Sequence, residues 1–131
     1  MTATPPADEP AGLPSEPIDV RRLRESLAEI GVPAVFKELV GVFLQETPER
    51  IVTLRRAAAA GDRRTVKFVA HTLKGTCGYL GARGLARICQ ELEGVSAGGA
   101  MTGGLPLLDE LEAEFGRVRA ALQHELGESA R

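Results

Sequence analysis

Apolar residues in this chain recur every three or four positions over long stretches, and no strand-like alternation competes with them. That period matches the turn of an α-helix, whose one-sided apolar stripe must be buried against neighbours. Glycines punctuate the pattern. Val20, Leu23, Leu27 and Ile30 share one face after Asp19, a capping residue type, and Gly31 is placed to end a short first helix. Pro33 opens a longer run in which Phe36, Leu39, Val40, Phe43, Leu44, Thr47, Ile51, Leu54 and Ala58 keep the spacing as far as Gly61. Pro48 interrupts it, and on periodicity alone it either kinks one helix or separates two. Asp62 caps a third run, with Val66, Val69, Ala70, Leu73, Thr76, Cys77 and Leu80 inward and Gly81 at its end. A fourth groups Leu85, Ile88, Cys89 and Leu92 and is predicted to stop at Gly94. From Gly94 to Gly104 five of eleven residues are glycine, a composition that predicts a flexible connection. Pro106 then suits a helix start, and Leu108, Leu111, Phe115, Val118, Leu122 and Leu126 form a narrow stripe near the heptad period.

Every stripe needs a partner, so the predicted fold class is all-α: an up-down four-helix bundle with a short additional N-terminal helix laid across one end. A length of 131 residues accommodates one such domain. Residues 1–17 hold five of the eight prolines and predict a disordered tail, the bundle is expected over 18–127, and 128–131 are expected as a C-terminal tail. An aromatic share of 4%, with no Trp, suits packed helices better than sheet. The net charge of −2 supplies no field for holding a polyanion, so nucleic acid is not an expected partner. Cys77 and Cys89 are too few for a disulfide framework, lack zinc-type spacing, and fall on apolar positions where a thiol acts as a small hydrophobe. The first residues show no signal-peptide pattern and no stretch has membrane-spanning length, so a cytoplasmic location without a membrane partner is expected.

The stretch with chemical content is His71 to Leu80, HTLKGTCGYL. His71 falls outside the inward set of its helix and shares the opposite face with Lys67, Lys74, Gly75 and Gly78. Each glycine in a helix costs about 1 kcal/mol relative to Ala, a loss that nothing on a solvent face repays structurally. Helical side chains lean toward the N-terminus, so a residue at 75 would cover His71, and Gly75 leaves the imidazole open to a second protein. Group transfer demands that kind of approach, because the reacting atoms must come within near-attack distance. The lysines favour a ring that keeps a nitrogen lone pair and can offset charge on a transferred phosphoryl group. Lys74 is the stronger candidate and Lys67 the secondary one. Arg63, Arg64, Arg83 and Arg87 can extend the surface toward an acidic partner pocket. His124, beside Gln123 and Glu125, has no Lys or Gly at useful offsets and reads as a surface residue.

His71-Thr72-Leu73-Lys74-Gly75, followed by Leu80-Gly81-Ala82 and by Leu85, Cys89, Leu92 and Glu93, resembles the signature of histidine-containing phosphotransfer (HPt) domains. The segment Phe43 to Arg50, FLQETPER, is similar to the preceding helix of that family, which implies one continuous helix with Pro48 inside it. The resemblance covers roughly residues 18 to 126. It implies that His71 is the phosphoacceptor, that Lys74 assists, that Gly75 gives access, and that Glu93 hydrogen-bonds the histidine and fixes its tautomer. It further implies partners in a response-regulator receiver domain and a hybrid sensor histidine kinase, with Mg²⁺ supplied by the receiver and no cofactor of this chain's own. Cys77, Gly78 and Tyr79 depart from the family's usual pattern. The sequence has no glycine-rich nucleotide loop, so no ATP site is expected, and no paired Glu-x-x-His motifs, so no metal centre is expected. A monomer is expected. Two alternatives stay open: a helical module that docks to a receiver-like partner without chemistry, and the phosphorylated N-terminal domain of a chemotaxis-type kinase.

Overall fold

The structure, a computed structural model, describes residues 18–98 and 104–129. The expected Pro-rich tail at 1–17 lies outside the described residues. Five helices run in order: α1 (Arg21–Glu29), α2 (Val35–Ala59), α3 (Arg63–Tyr79), α4 (Arg83–Gly98) and α5 (Gly104–Ser129). No strand occurs among the described residues. Helices α2 to α5 form a closed ring of neighbours, α2 against α3, α3 against α4, α4 against α5 and α5 against α2, and α1 lies on α2. Connections of three residues between α2 and α3 and between α3 and α4 force antiparallel neighbours, which makes the up-down bundle.

The inward faces are those the periodicity marks. Val40, Leu54, Val66, Leu73, Leu85, Leu92, Leu108, Leu111, Val118 and Leu122 are fully buried, and Phe43 meets Phe115 edge to face with centroids 5.9 Å apart. Cys77 and Cys89 are buried with free thiols, and the hydrogen bond that the Cys77 thiol makes to Cys89, together with burial, pushes the Cys77 thiol up. Arg24 on α1 stacks 4.1 Å over the Phe36 ring of α2 and pairs with Glu125 of α5 at 3.2 Å, which ties the short helix to two members of the bundle. Arg55 of α2 bridges Asp109 and Glu112 of α5.

Helix ends follow from local chemistry. Asp62 accepts hydrogen bonds from the Thr65 amide at 3.2 Å and the Thr65 hydroxyl at 2.6 Å, and these hold its carboxyl below the usual value while capping α3. At the far end Gly81 turns left-handed at φ 79°, with Gly81 N–H donating to the Gly78 carbonyl and Ala82 N–H to the Cys77 carbonyl. The same closure ends α1 at Gly31 and α2 at Gly61. Asp19 N–H donates to the Gly81 carbonyl at 3.1 Å, and a Cβ at Gly81 would lie 2.0 Å from the Asp19 oxygen, so the N-terminal segment is seated against the α3–α4 turn.

Several boundaries differ from the sequence expectation. Asp19 accepts from Arg21 N–H, but Val20 is the residue flanking α1. Ile30 is exposed rather than inward, because α1 closes at Glu29 and the chain turns away at Gly31. Pro48, by contrast, lies within an unbroken α2, as the family resemblance implies. Helix α4 does not stop at Gly94 but continues to Gly98, since Gly94 lacks the left-handed backbone of the three true stops. Helix α5 begins at Gly104, two residues before Pro106, which places the proline in the first turn where its missing N–H leaves no gap. It also runs through Ser129, taking in the first two residues of the expected C-terminal tail.

Candidate functional site

Helix α3 presents His71 to water, its side chain 70% exposed, because Val69, Ala70 and Leu73 take the buried positions around it. Beside it α4 supplies Glu93. Since α4 continues past Gly94, Glu93 sits within the helix rather than at a fraying end, and its side chain, only 16% exposed, lies along the seam with α3. Its Oε2 is 2.9 Å from His71 Nδ1 and its Oε1 is 2.7 Å from Lys74 Nζ. One carboxylate therefore engages both residues of the HxxK motif.

The charge state of Glu93 follows from these neighbours. The Lys74 ammonium lowers its pKa most, partial burial opposes this, and the His71 contact adds to the lowering, so the carboxyl is held below its ordinary value. An ionised carboxylate only accepts hydrogen bonds, so His71 Nδ1 must carry the proton that it receives. In the neutral ring the lone pair is then on Nε2, the nitrogen away from Glu93. The site can present a nucleophilic nitrogen to an incoming electrophile, with a carboxylate behind the ring to balance positive charge that develops there.

The glycines behave as spaces. Gly75 and Gly78 are exposed, and a Cβ built on either meets nothing within 4 Å. Lys67 lies exposed one turn before His71. Lys74, the stronger of the two lysine candidates, is held by Glu93. Arg63, Arg64, Arg83 and Arg87 are all exposed, and Arg87 also pairs with Glu91 on its own helix at 2.5 Å. His124 lies on α5 in the groove between α1 and α5, apart from the α3 face. Among the described residues no group of three or more His, Cys, Asp or Glu side chains is placed to hold a metal ion, and no helix is long and apolar enough to cross a membrane. The face also carries Phe68, exposed one turn before His71. An aromatic outside the inward set 66, 69, 70, 73 was its signal in the sequence.

This fold and this site define a helical phosphotransfer module, and comparison with known proteins agrees. The family model for the Hpt domain matches residues 38–121. Among solved structures, the chain is similar to histidine-containing phosphotransfer protein B from Pseudomonas aeruginosa PAO1, with 31% identity and a TM-score of 0.76 over 83% of this chain and 93% of that one. A histidine-containing phosphotransfer protein from maize aligns with 21% identity and a TM-score of 0.79, covering 89% of each chain. The HPT domain of a sensor hybrid histidine kinase from Shewanella aligns with 24% identity and a TM-score of 0.67, over 82% of this chain and 92% of that one. These last two speak to the fold. No curated protein matches the chain. The chain belongs to the Hpt domain family, and histidine phosphotransfer within a phosphorelay is its function.

Proposed function

We propose that His71 is the residue that carries the phosphoryl group, accepting it from the aspartyl phosphate of a receiver domain and returning it to a second one. The observation that supports this is the pairing of an exposed imidazole with a carboxylate on Nδ1, which leaves Nε2 as the nucleophile. In the transfer, the Nε2 lone pair attacks phosphorus while the bond from phosphorus to the aspartate oxygen breaks, and the aspartate leaves with that electron pair. The Nδ1 proton stays in place, so the phosphorylated ring is cationic and the Glu93 carboxylate balances it. Lys74 orients Glu93 and brings an ammonium to the edge of the site, where it can meet the phosphoryl oxygens. Gly75 and Gly78 leave room for the partner, and Lys67 adds positive charge beside it.

In this reading the protein is a carrier without an ATP site of its own, exchanging the phosphoryl group between a hybrid sensor kinase and a response regulator. We assign the Mg²⁺ to the receiver's side of the complex, and we take the carrier to be a cytoplasmic monomer that binds neither nucleic acid nor membrane. The test is transfer of labelled phosphate from a phosphorylated receiver. Acid-labile label on the wild-type chain and none on His71→Gln is the expected result. Stable docking without label in the wild type would instead identify an interaction module with no chemistry.

A further inference from the structure

The chain has few aromatic residues, four Phe and one Tyr. Phe36, Phe43 and Phe115 are buried in the core. The other two stand in water, Phe68 at 71% and Tyr79 at 57% exposure, and both are on α3. They also share one row. Residues 68, 72, 75 and 79 fall on a single stripe of a helix, with His71 one step around it. Along the axis Phe68 lies about 4.5 Å before His71 and Tyr79 about 12 Å beyond it, at 1.5 Å per residue. Between the rings the stripe is low, because Gly75 carries no side chain and the space above it is empty.

Tyr79 is a ridge between two grooves. On one side, between α1 and the α3–α4 turn, it borders a hollow together with Ile30, Gly78, Arg22 and Arg83. On the other, between α2 and α3, it lines a shallow groove with Val42. Ile30 and Val42 are themselves exposed apolar side chains next to the ring, and the hollow on the Ile30 side is lined by Arg21, Arg22 and Arg83 together with the carboxylates Asp19 and Glu25, which leaves an excess of positive charge. At the other end Arg64 and Lys67 lie exposed within a turn of Phe68. Neither ring contributes to the core, and large aromatic side chains left in water are enriched among the residues that anchor interfaces.

We propose that Phe68 and Tyr79 are the two apolar anchors of the docking surface for the partner receiver domain, and that they set which receiver is accepted. The inference rests on the proposed transfer at His71. A partner that places a phosphoaspartate against Nε2 must cover α3 on both sides of His71, and a span of about 16 Å lies well inside the footprint of about 800 Å² per partner of a standard interface. The charges choose the occupant. A pocket that holds an aspartyl phosphate and a divalent cation is ringed by carboxylates, and here it would face Arg64 and Lys67 on one side and Arg83 on the other. A complementary partner presents two apolar contacts outside an acidic mouth.

The experiment compares wild type with Phe68→Ala, Tyr79→Ala and Tyr79→Phe, and with Leu105→Ala as an exposed apolar change on α5. Phosphoramidate, a small donor that needs no docking surface, is used first to label each protein. Failure to label wild-type His71 would defeat the transfer reading and this inference with it. With labelling intact in all variants and melting temperatures unchanged, transfer from a panel of phosphorylated receivers is then measured as a function of receiver concentration. Each alanine variant should raise KM roughly tenfold for the preferred receiver, narrow the gap to the others, and leave kcat unchanged. Tyr79→Phe and Leu105→Ala should behave as wild type. Unchanged KM in both alanine variants, a loss in kcat alone, or an equal loss in Leu105→Ala would overturn the proposal.

Discussion

Substitution of Gly75 separates stability from function at one position. The residue is exposed within α3, and a Cβ there would have open space on all sides, so no packing favours glycine. Gly75→Ala removes a helix penalty of up to about 1 kcal/mol, and for a domain of this size that raises the melting temperature by about 4 °C. Gly75→Gln should also fold, with a somewhat smaller gain, because Gln is a good helix former and its Cβ meets nothing within 4 Å. Its side chain, however, leans toward the N-terminus of α3 and lies over His71. A displacement of the incoming phosphoryl group by about 1 Å lowers transfer on the order of 100-fold, and we expect a loss of that size for Gln and a loss within tenfold for Ala. The assay pairs thermal unfolding with the rate of transfer from a phosphorylated receiver. Normal transfer by the Gln variant would refute the access argument, and a fall in melting temperature for the Ala variant would show that Gly75 is needed for packing.

His71→Gln should abolish phosphoryl acceptance and shift stability by no more than about 0.5 kcal/mol in a urea titration, since an exposed side chain is replaced, whereas His124→Gln should transfer normally. Glu93 has a depressed pKa, so its contribution is fully present above the ordinary carboxylate value and disappears as pH falls through the lowered one. Its contacts to His71 and Lys74, followed by the NMR signals of the His71 ring, should therefore persist down to the ordinary range and be lost only below it; loss already near pH 6 would contradict the assignment. Glu93→Gln keeps an acceptor for Nδ1 but loses the charge that balances the phosphorylated ring, and it should shorten the lifetime of the phosphohistidine more than it slows its formation. Gly81→Ala is the counterpart of Gly75→Ala: with a left-handed backbone and the Asp19 carbonyl 2.0 Å from the new Cβ, it should destabilise by at least about 2 kcal/mol in chemical unfolding.

The parts of this molecule that were legible in its sequence are those decided locally. Helical period identifies the inward faces of α2, α3 and α5, because burial is set by the angle of each residue around its own axis. The closures at Gly31, Gly61 and Gly81 were legible because each is a glycine at the end of an apolar-periodic run. Gly94 also stands at the end of such a run, and yet the helix runs through it. A glycine permits a left-handed stop without requiring one, and the cost of about 1 kcal/mol for keeping it helical is small beside the packing of the surrounding turn. What separates the two outcomes is whether the next residues have something to pack on after the chain turns. At Gly81 they do: Leu80 and Ala82 are buried and Asp19 is bonded to the turn.

That one boundary also decides how the site is read. With α4 ended at Gly94, Glu93 would be a fraying terminal residue and Lys74 a free ammonium beside His71, so that the lysine alone would carry the electrostatic part of the chemistry. With α4 continued to Gly98, Glu93 is held between the two helices and its two oxygens engage one residue of the motif each, at 2.9 and 2.7 Å. The tautomer of His71 is then fixed by a neighbour 22 positions away in sequence. Spacing within α3 cannot encode this, because it depends on the register of α4 against α3, and that register is set in the core the two helices share, to which α3 gives Leu73 and Cys77 and α4 gives Leu85, Cys89 and Leu92, with Cys77 hydrogen-bonded to Cys89. In the proposed transfer the nitrogen left for phosphorus is therefore chosen by the core, and a change that shifts α4 along α3 without touching His71, Lys74 or Glu93 should release Nδ1 from Glu93 and give a mixture of His71 tautomers in the ring-nitrogen NMR shifts; an unchanged single tautomer would refute the reasoning.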